Sequence, residues 1–354
     1  DETNAVNAGI IRRETTTPNP DAYELIYSGP HFFVGNPFYK TPRSVCTLNS
    51  HYDTLDLLTL PADFVPRTNY LPDESIGAFC NRIRGIDSSK VWIDTYRLGF
   101  RKMVGSASER TMQAAIIPPG VSHIDGVASL QCHDVELVRA AGMSSALLND
   151  FLLKSSGKTN VRGEIILRLP RLSSSPLASL IVARTLLLSC LTKAYAELWR
   201  LHFDKGFREG AWSVNDKRLS TFMELGPTWN PQTPLRNDFA RRWALVEIDV
   251  LTAMALGLTL DELILIYNVQ FPVLQQNEAD TWYDANGRIV FTCSKGLPGV
   301  GLDRKEWEEI KDLAPGQKHS HVVDPAKSEL YDGTTRTYVA PFERRDRAAD
   351  YATA

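Results

Sequence analysis

Apolar positions along this chain change their spacing several times, and each change marks a different kind of element. From Gly29 to Pro72 the apolar runs are short and are cut by Pro30, Pro37, Pro42, Pro61, Pro66 and Pro72. That spacing excludes long helices, because proline lacks the amide proton and clashes with the preceding turn. Loops and edge strands are expected there, with a strand over His31 to Val34 ending in a tight turn at Gly35-Asn36-Pro37-Phe38-Tyr39. Val91 to Ile93, Tyr96 to Arg101, Met112 to Ile117 and Val127 to Cys132 alternate with period two, as half-buried strands do. Asp134 then caps a helix over Val135 to Ala141, a second helix covers Ser144 to Lys154, and Glu164 to Leu169 reads as a strand closed by Pro170.

Ser175 and Pro176 supply an N-cap and a first-turn proline for one long helix of roughly seven turns, reaching about Phe203. Lys193, Glu197 and Arg200 share one narrow polar stripe, so most of that helix has to be covered by other elements. Two further helices are expected at Asn237 to Leu256 and Leu260 to Asn268, the second capped by Thr259 with Asp261 and Glu262 in its first turn. The Asn286-Gly287 pair between Trp282-Tyr283 and Arg288 to Phe291 signals a hairpin. Asp303 with Glu306 opens a short helix over Arg304 to Leu313.

The fold class read from this pattern is α+β: a twisted, mostly antiparallel sheet, then a long helix, then a mainly helical C-terminal region. The segments are 1–28 as a linker from an upstream region, 29–172 as the sheet-based domain, 173–230 as the long helix and connector, and 231–354 as the C-terminal domain with its small hairpin. The polar start and the charged end, Arg344 to Asp350, read as the borders of a piece of a larger protein.

Composition narrows the function classes. The chain has 354 residues, 43% of them hydrophobic, enough for one large core or two moderate ones. Five scattered cysteines without a CxxC pair or zinc spacing read as reduced thiols in a cytoplasmic protein. The most apolar run, Leu177 to Leu191, is interrupted by Arg184 and is a core helix rather than a membrane span. Net charge is −3, yet between Cys80 and Arg171 thirteen Lys/Arg stand against eight Asp/Glu, so one basic segment lies within an acidic chain.

Catalytic patterns are incomplete. Transfer of a methyl group to an exocyclic amine needs a glycine-rich cofactor turn and an Asn/Asp-Pro-Pro-aromatic motif; Asn36-Pro37-Phe38-Tyr39 lacks the second proline, and no Gly-x-Gly turn precedes it. Glu309-Ile310-Lys311 matches the end of a nuclease triplet but has no preceding Pro-Asp, and sits where a solvated helix face is expected. His319 and His321 lack further ligands at metal spacing and are expected in a loop. No Gly-x-Ser-x-Gly elbow is present. The chain alone therefore reads as non-catalytic, with no cofactor or metal of its own.

Binding chemistry remains. Arg97, Arg101 and Lys102 fall on or beside a strand, Ser122 and His123 end a stiff Pro118-Pro119-Gly120 loop, and Lys154, Lys158, Asn160 and Arg162 belong to a polar turn. These side-chain types reach phosphates and base edges.

Two sets of residues add a resemblance. Ala146 to Lys154, a short polar turn, and Gly163-Glu164-Ile165-Ile166-Leu167-Arg168-Leu169-Pro170-Arg171-Leu172 resemble the closing part of target-recognition domains in adenine-methyltransferase specificity subunits and fused restriction-modification enzymes, with Asp150 in place of the usual small residue. Ser28 to Pro37 and Glu109 to Gly120 resemble the C-terminal half of large bacterial methyltransferases of phage defence, of DISARM and BREX type. The resemblance runs from about Ser28 to the end. It implies that 29–172 is a DNA target-recognition domain for double-stranded DNA, while an upstream or separate catalytic domain binds S-adenosylmethionine and methylates adenine N6 after base flipping. A competing reading, motivated by the apolar helix after Pro176, is a scaffold that docks a protein partner without nucleic acid.

Overall fold

The computed structural model describes residues 2–17, 20–82, 91–105, 107–172 and 176–354. Helices and small, mostly antiparallel sheets are mixed along the chain. The expected sheet is present but small: Arg97–Arg101 (β1) lies between Ala114–Ile117 (β2) and Val127–Leu130 (β3), antiparallel to both, with Leu98 opposite Ile116 and Leu130. Strand pairing elsewhere is confined to short pieces. Ile26–Tyr27 runs parallel to Ser122–His123, and Lys40–Pro42 runs antiparallel to Tyr52–Thr54.

Three strand expectations are corrected. Trp92–Asp94 is a 3-10 turn, not a strand. Gly163–Ile166 is a helical turn, because Ile165, Ile166 and Leu169 face the core at helical spacing while Leu167 stays exposed. The expected strand His31 to Val34 is also absent, as Gly29–His31 forms a 3-10 turn. The first segment is not a free linker: Glu2–Asn7 is helical, Ile11–Arg12 pairs with Leu71–Pro72, and Thr16 exchanges hydrogen bonds with Thr68.

Asp134–Ser145 (α1) and Leu147–Ser155 (α2) are separated by an extended Ala146, which offers no side-chain cap. The first amide of α2 is instead taken by Asp249 Oδ1 from a distant helix, at 2.6 Å. α1 crosses Pro176–Ser189 (α3) at Gly142, where an added Cβ would stand 2.5 Å from both Ile181 and Thr185. Ser175, expected as the N-cap of α3, lies outside the described residues.

The single long helix after Pro176 is in fact two. α3 stops at Ser189, Thr192 is extended, and Ala196–His202 (α4) begins after a 3-10 turn. Tertiary donors make the break affordable in hydrogen-bond terms. The carbonyls left open at the end of α3 accept from Leu235 N (to Leu187), Arg241 (to Leu188), Trp229 (to Cys190) and Arg236 (to Leu191).

Asp238–Ala255 (α5) packs on α1 and α3, and Leu260–Gln270 (α6) starts at the Thr259 capping box, as the sequence predicts. Pro272–Ala279 (α7), the Trp282–Tyr283 and Ile289–Phe291 hairpin, Arg304–Ile310 (α8) and Arg347–Thr353 (α9) complete the C-terminal part. A hairpin of Lys318–Val322 with Thr335–Val339 also forms, so His319 and His321 lie on a strand rather than in a loop, both bonded to Glu306 at 2.8 and 2.9 Å. The largest core cluster draws on residues from Phe38 to Ile248, including the fully buried Phe100, Trp199 and Ala240. This continuous core crosses positions 172 and 230. No described helix is long and apolar enough to cross a membrane.

Candidate nucleic-acid interface

A cleft of about 1220 Å³ runs between the 28–57 segment, the open end of β1, and the C-terminal elements α5, α7 and the hairpin. Its first wall is built from a turn. Gly35 adopts φ +59°, a left-handed conformation that suits glycine. Phe33 and Asn36 exchange backbone hydrogen bonds across it, and Asn36 Oδ1 accepts from Phe38 N at 3.0 Å. Gly35 N donates to Ala114 O and its carbonyl accepts from Arg241, so the turn is clasped between β2 and α5. Asn36 is thus a turn residue, and Phe33 stacks on Tyr39 at 4.9 Å along the cleft.

The second wall carries Arg101, Glu109, Arg110 and Gln113. Glu109 reaches across to the C-terminal part, accepting from Asn277 at 2.5 Å and Ser294 at 3.2 Å, and burial pushes its carboxyl up. Ser28–Pro37 and Glu109–Gly120, far apart in sequence, both contribute to this cleft.

The sequence-predicted contact residues divide into three groups. Arg97 and Ser122 are buried, and His123 is half-buried with both ring nitrogens bonded within the protein, so none of the three is presented to a ligand. The Arg97 guanidinium is fully buried over the Trp92 ring at 3.7 Å, bonded to the carbonyls of Thr95 and Val121, and burial pushes it down to about 9. Ser122 is buried and donates to Leu25 O, and His123 is held between Ile124 O and Ser129 Oγ with its imidazole pushed down to about 4 by burial. The Pro118 to His123 loop is packed against Ile93 and Leu25, not projected.

Arg101 and Lys102 flank the cleft region with different fates. Arg101 lines the cleft and donates to Gln113 Oε1, whereas Lys102 is paired with Asp125. Lys154, Lys158, Asn160 and Arg162 form the third group. Lys154 sits over the Phe271 ring at 4.9 Å, Asn160 bridges to Met103, and Lys158 and Arg162 are exposed.

Two further cations of the same stretch, Arg168 and Arg171, are exposed as well; the strand reading of 164–169 hid Arg168, and Arg171 lies just beyond it. From 154 to 171 five cations face one carboxylate, Glu164, and none of the five forms an ion pair with another described residue. Several arginines elsewhere are held in buried pairs, as in Arg110–Asp150, Arg184–Glu247 and Arg347–Asp249. Lys40, also missed, lines the cleft beside Arg101; its position directly after Tyr39 was the available signal.

Among the described residues no group of His, Cys, Asp and Glu is arranged to hold a metal ion, and all five cysteines are free thiols. Comparisons with family models, with curated proteins and with solved structures each return no match.

Proposed function

We propose that this chain is the sequence-recognising part of an adenine-N6 DNA methyltransferase system of restriction-modification or phage-defence type. It acts on double-stranded DNA together with an upstream or separate catalytic domain that holds S-adenosylmethionine. The observation that carries the reading is the cationic stretch from Lys154 to Arg171, which forms no ion pair among the described residues. Free surface cations release condensed counterions when they meet phosphates, which supplies non-specific affinity and positions the protein on the duplex. Asn160, beside them, has the amide that reads an adenine edge. The meeting of the two resembling segments at one cleft supports the same reading.

Less supports the scaffold alternative, since α3 packs on α1 and α5, and Leu198 and Trp199 of α4 are buried in the largest core cluster. Duplex binding measured across salt concentrations tests the proposal. Affinity should fall steeply with salt, and the triple variant Lys158→Ala, Arg162→Ala, Arg168→Ala should flatten the log–log slope by roughly 2–3, about 0.9 per lost phosphate contact. Negligible binding at low salt, or an unchanged slope in the triple variant, overturns it.

A further inference from the structure

The cleft holds two cations that no carboxylate of the described chain neutralises. Lys40 begins the paired segment Lys40–Pro42 and lies over the Tyr39 ring at 5.0 Å. Arg101, at the end of β1, sends its guanidinium across Gly29 to the neutral amide oxygen of Gln113. Gly29 is open enough for this only because it has no side chain: a Cβ there would stand 2.9 Å from Arg101 Nε. Burial, and then the facing Arg101, push the Lys40 ammonium down to about 8, and burial lowers Arg101 as well.

Placing like charges together in a partly desolvated site is costly unless an anion joins them. Of the carboxylates lining the same cleft, Glu109 turns to Asn277 and Ser294, Glu278 to Arg242 and Arg347, Asp238 to the Ile289 amide and Asp280 to Gln276. Phe33, half-buried on the facing wall of the cleft, supplies an aromatic surface of the kind on which bases stack.

We propose that Lys40 and Arg101 hold the phosphate of a nucleotide, with Phe33 as the platform for its base. The inference goes beyond the DNA reading, because a free nucleotide offers the same phosphate and base as a strand does.

Titration calorimetry on the full chain with AMP, inorganic phosphate and a single-stranded oligo(dA) tests it. Lys40→Met and Arg101→Gln should each weaken AMP or oligo(dA) binding by about tenfold, the loss of one charge-assisted contact. Gly29→Ala should weaken it too by displacing the guanidinium, and Phe33→Leu should weaken AMP while sparing inorganic phosphate. The groups facing Lys40 are Arg101 and the Tyr39 phenol, the latter kept neutral by burial, so wild-type affinity should fall as pH rises through about 8 and that fall should vanish in Lys40→Met. The triple surface variant should leave AMP binding intact, which separates this site from the 154–171 stretch. Binding of AMP assigns a free nucleotide; binding of oligo(dA) alone assigns a strand subsite, and both support the site. Absence of binding for both probes overturns it, as does unchanged affinity in Lys40→Met and Gly29→Ala proteins whose circular dichroism melts match wild type.

Discussion

Asp150 is a carboxylate in the interior of the protein, and its surroundings account for its burial. The fully buried carboxylate accepts from Arg110 Nε at 2.5 Å and from the backbone amides of Thr111 and Met112 at 3.0 Å. Burial pushes this carboxyl up, while Arg110 and the two amides favour its charged form. One side chain of α2 thereby anchors the start of the Glu109–Gly120 segment that lines the cleft. Asp150→Ala should cost roughly 3–5 kcal/mol in urea denaturation, because it strands Arg110 as a buried unpaired charge. A loss below about 1 kcal/mol would show that Arg110 finds water or another partner. Both residues are visible in the sequence, but nothing local announces that they meet across 40 positions.

Among the elements, those with local start and stop signals were legible. Asn237 accepts from Ala240 N, Thr259 and Glu262 form their reciprocal box, Asp303 accepts from Glu306 N, and Asn286-Gly287 turns the hairpin. These signals act within a few residues, so the sequence contains both partners. The break between α3 and α4 is different in kind, since its carbonyls are satisfied by residues more than thirty positions away, such as Trp229 and Arg241. Arg241 is central: it serves Leu188 O, Leu235 O and Gly35 O at 2.9–3.0 Å. Arg241→Met should lower stability by at least about 2 kcal/mol, since three buried acceptors lose their donor. Thermal and urea unfolding measure it, and a change under about 0.5 kcal/mol would rule out this capping role.

For the whole molecule, a buried charge network ties the C-terminal helices to the core. Arg242 of α5 pairs with Glu278 of α7 and Asp350 of α9, and Arg347 of α9 pairs with Glu278 and with Asp249 of α5. The phenol of Tyr351 also donates to Asp249 at 2.7 Å. Because Glu278 serves both arginines, Arg242→Met and Arg347→Met should not be additive. A double-mutant cycle in urea should give a coupling energy of about 0.5–3 kcal/mol. Additivity within about 0.3 kcal/mol would mean that the two pairs act separately. Internal pairing of this kind is what sets off the stretch from Lys154 to Arg171, whose cations form no ion pair among the described residues.

Proline spacing, the local caps and the Asn-Gly turn were set by the sequence alone, because each depends on backbone geometry and partners within a few residues, whereas alternation did not suffice at Val91 to Ile93, where Trp92–Asp94 forms a 3-10 turn. The availability of charge was decided only by the tertiary structure. Arg97 and Arg162 read alike in the chain, yet one is sealed over Trp92 and the other is exposed. Whether a cation is spent on an internal partner or left for a phosphate depends on groups that folding brings from tens or hundreds of positions away, and on the burial they share.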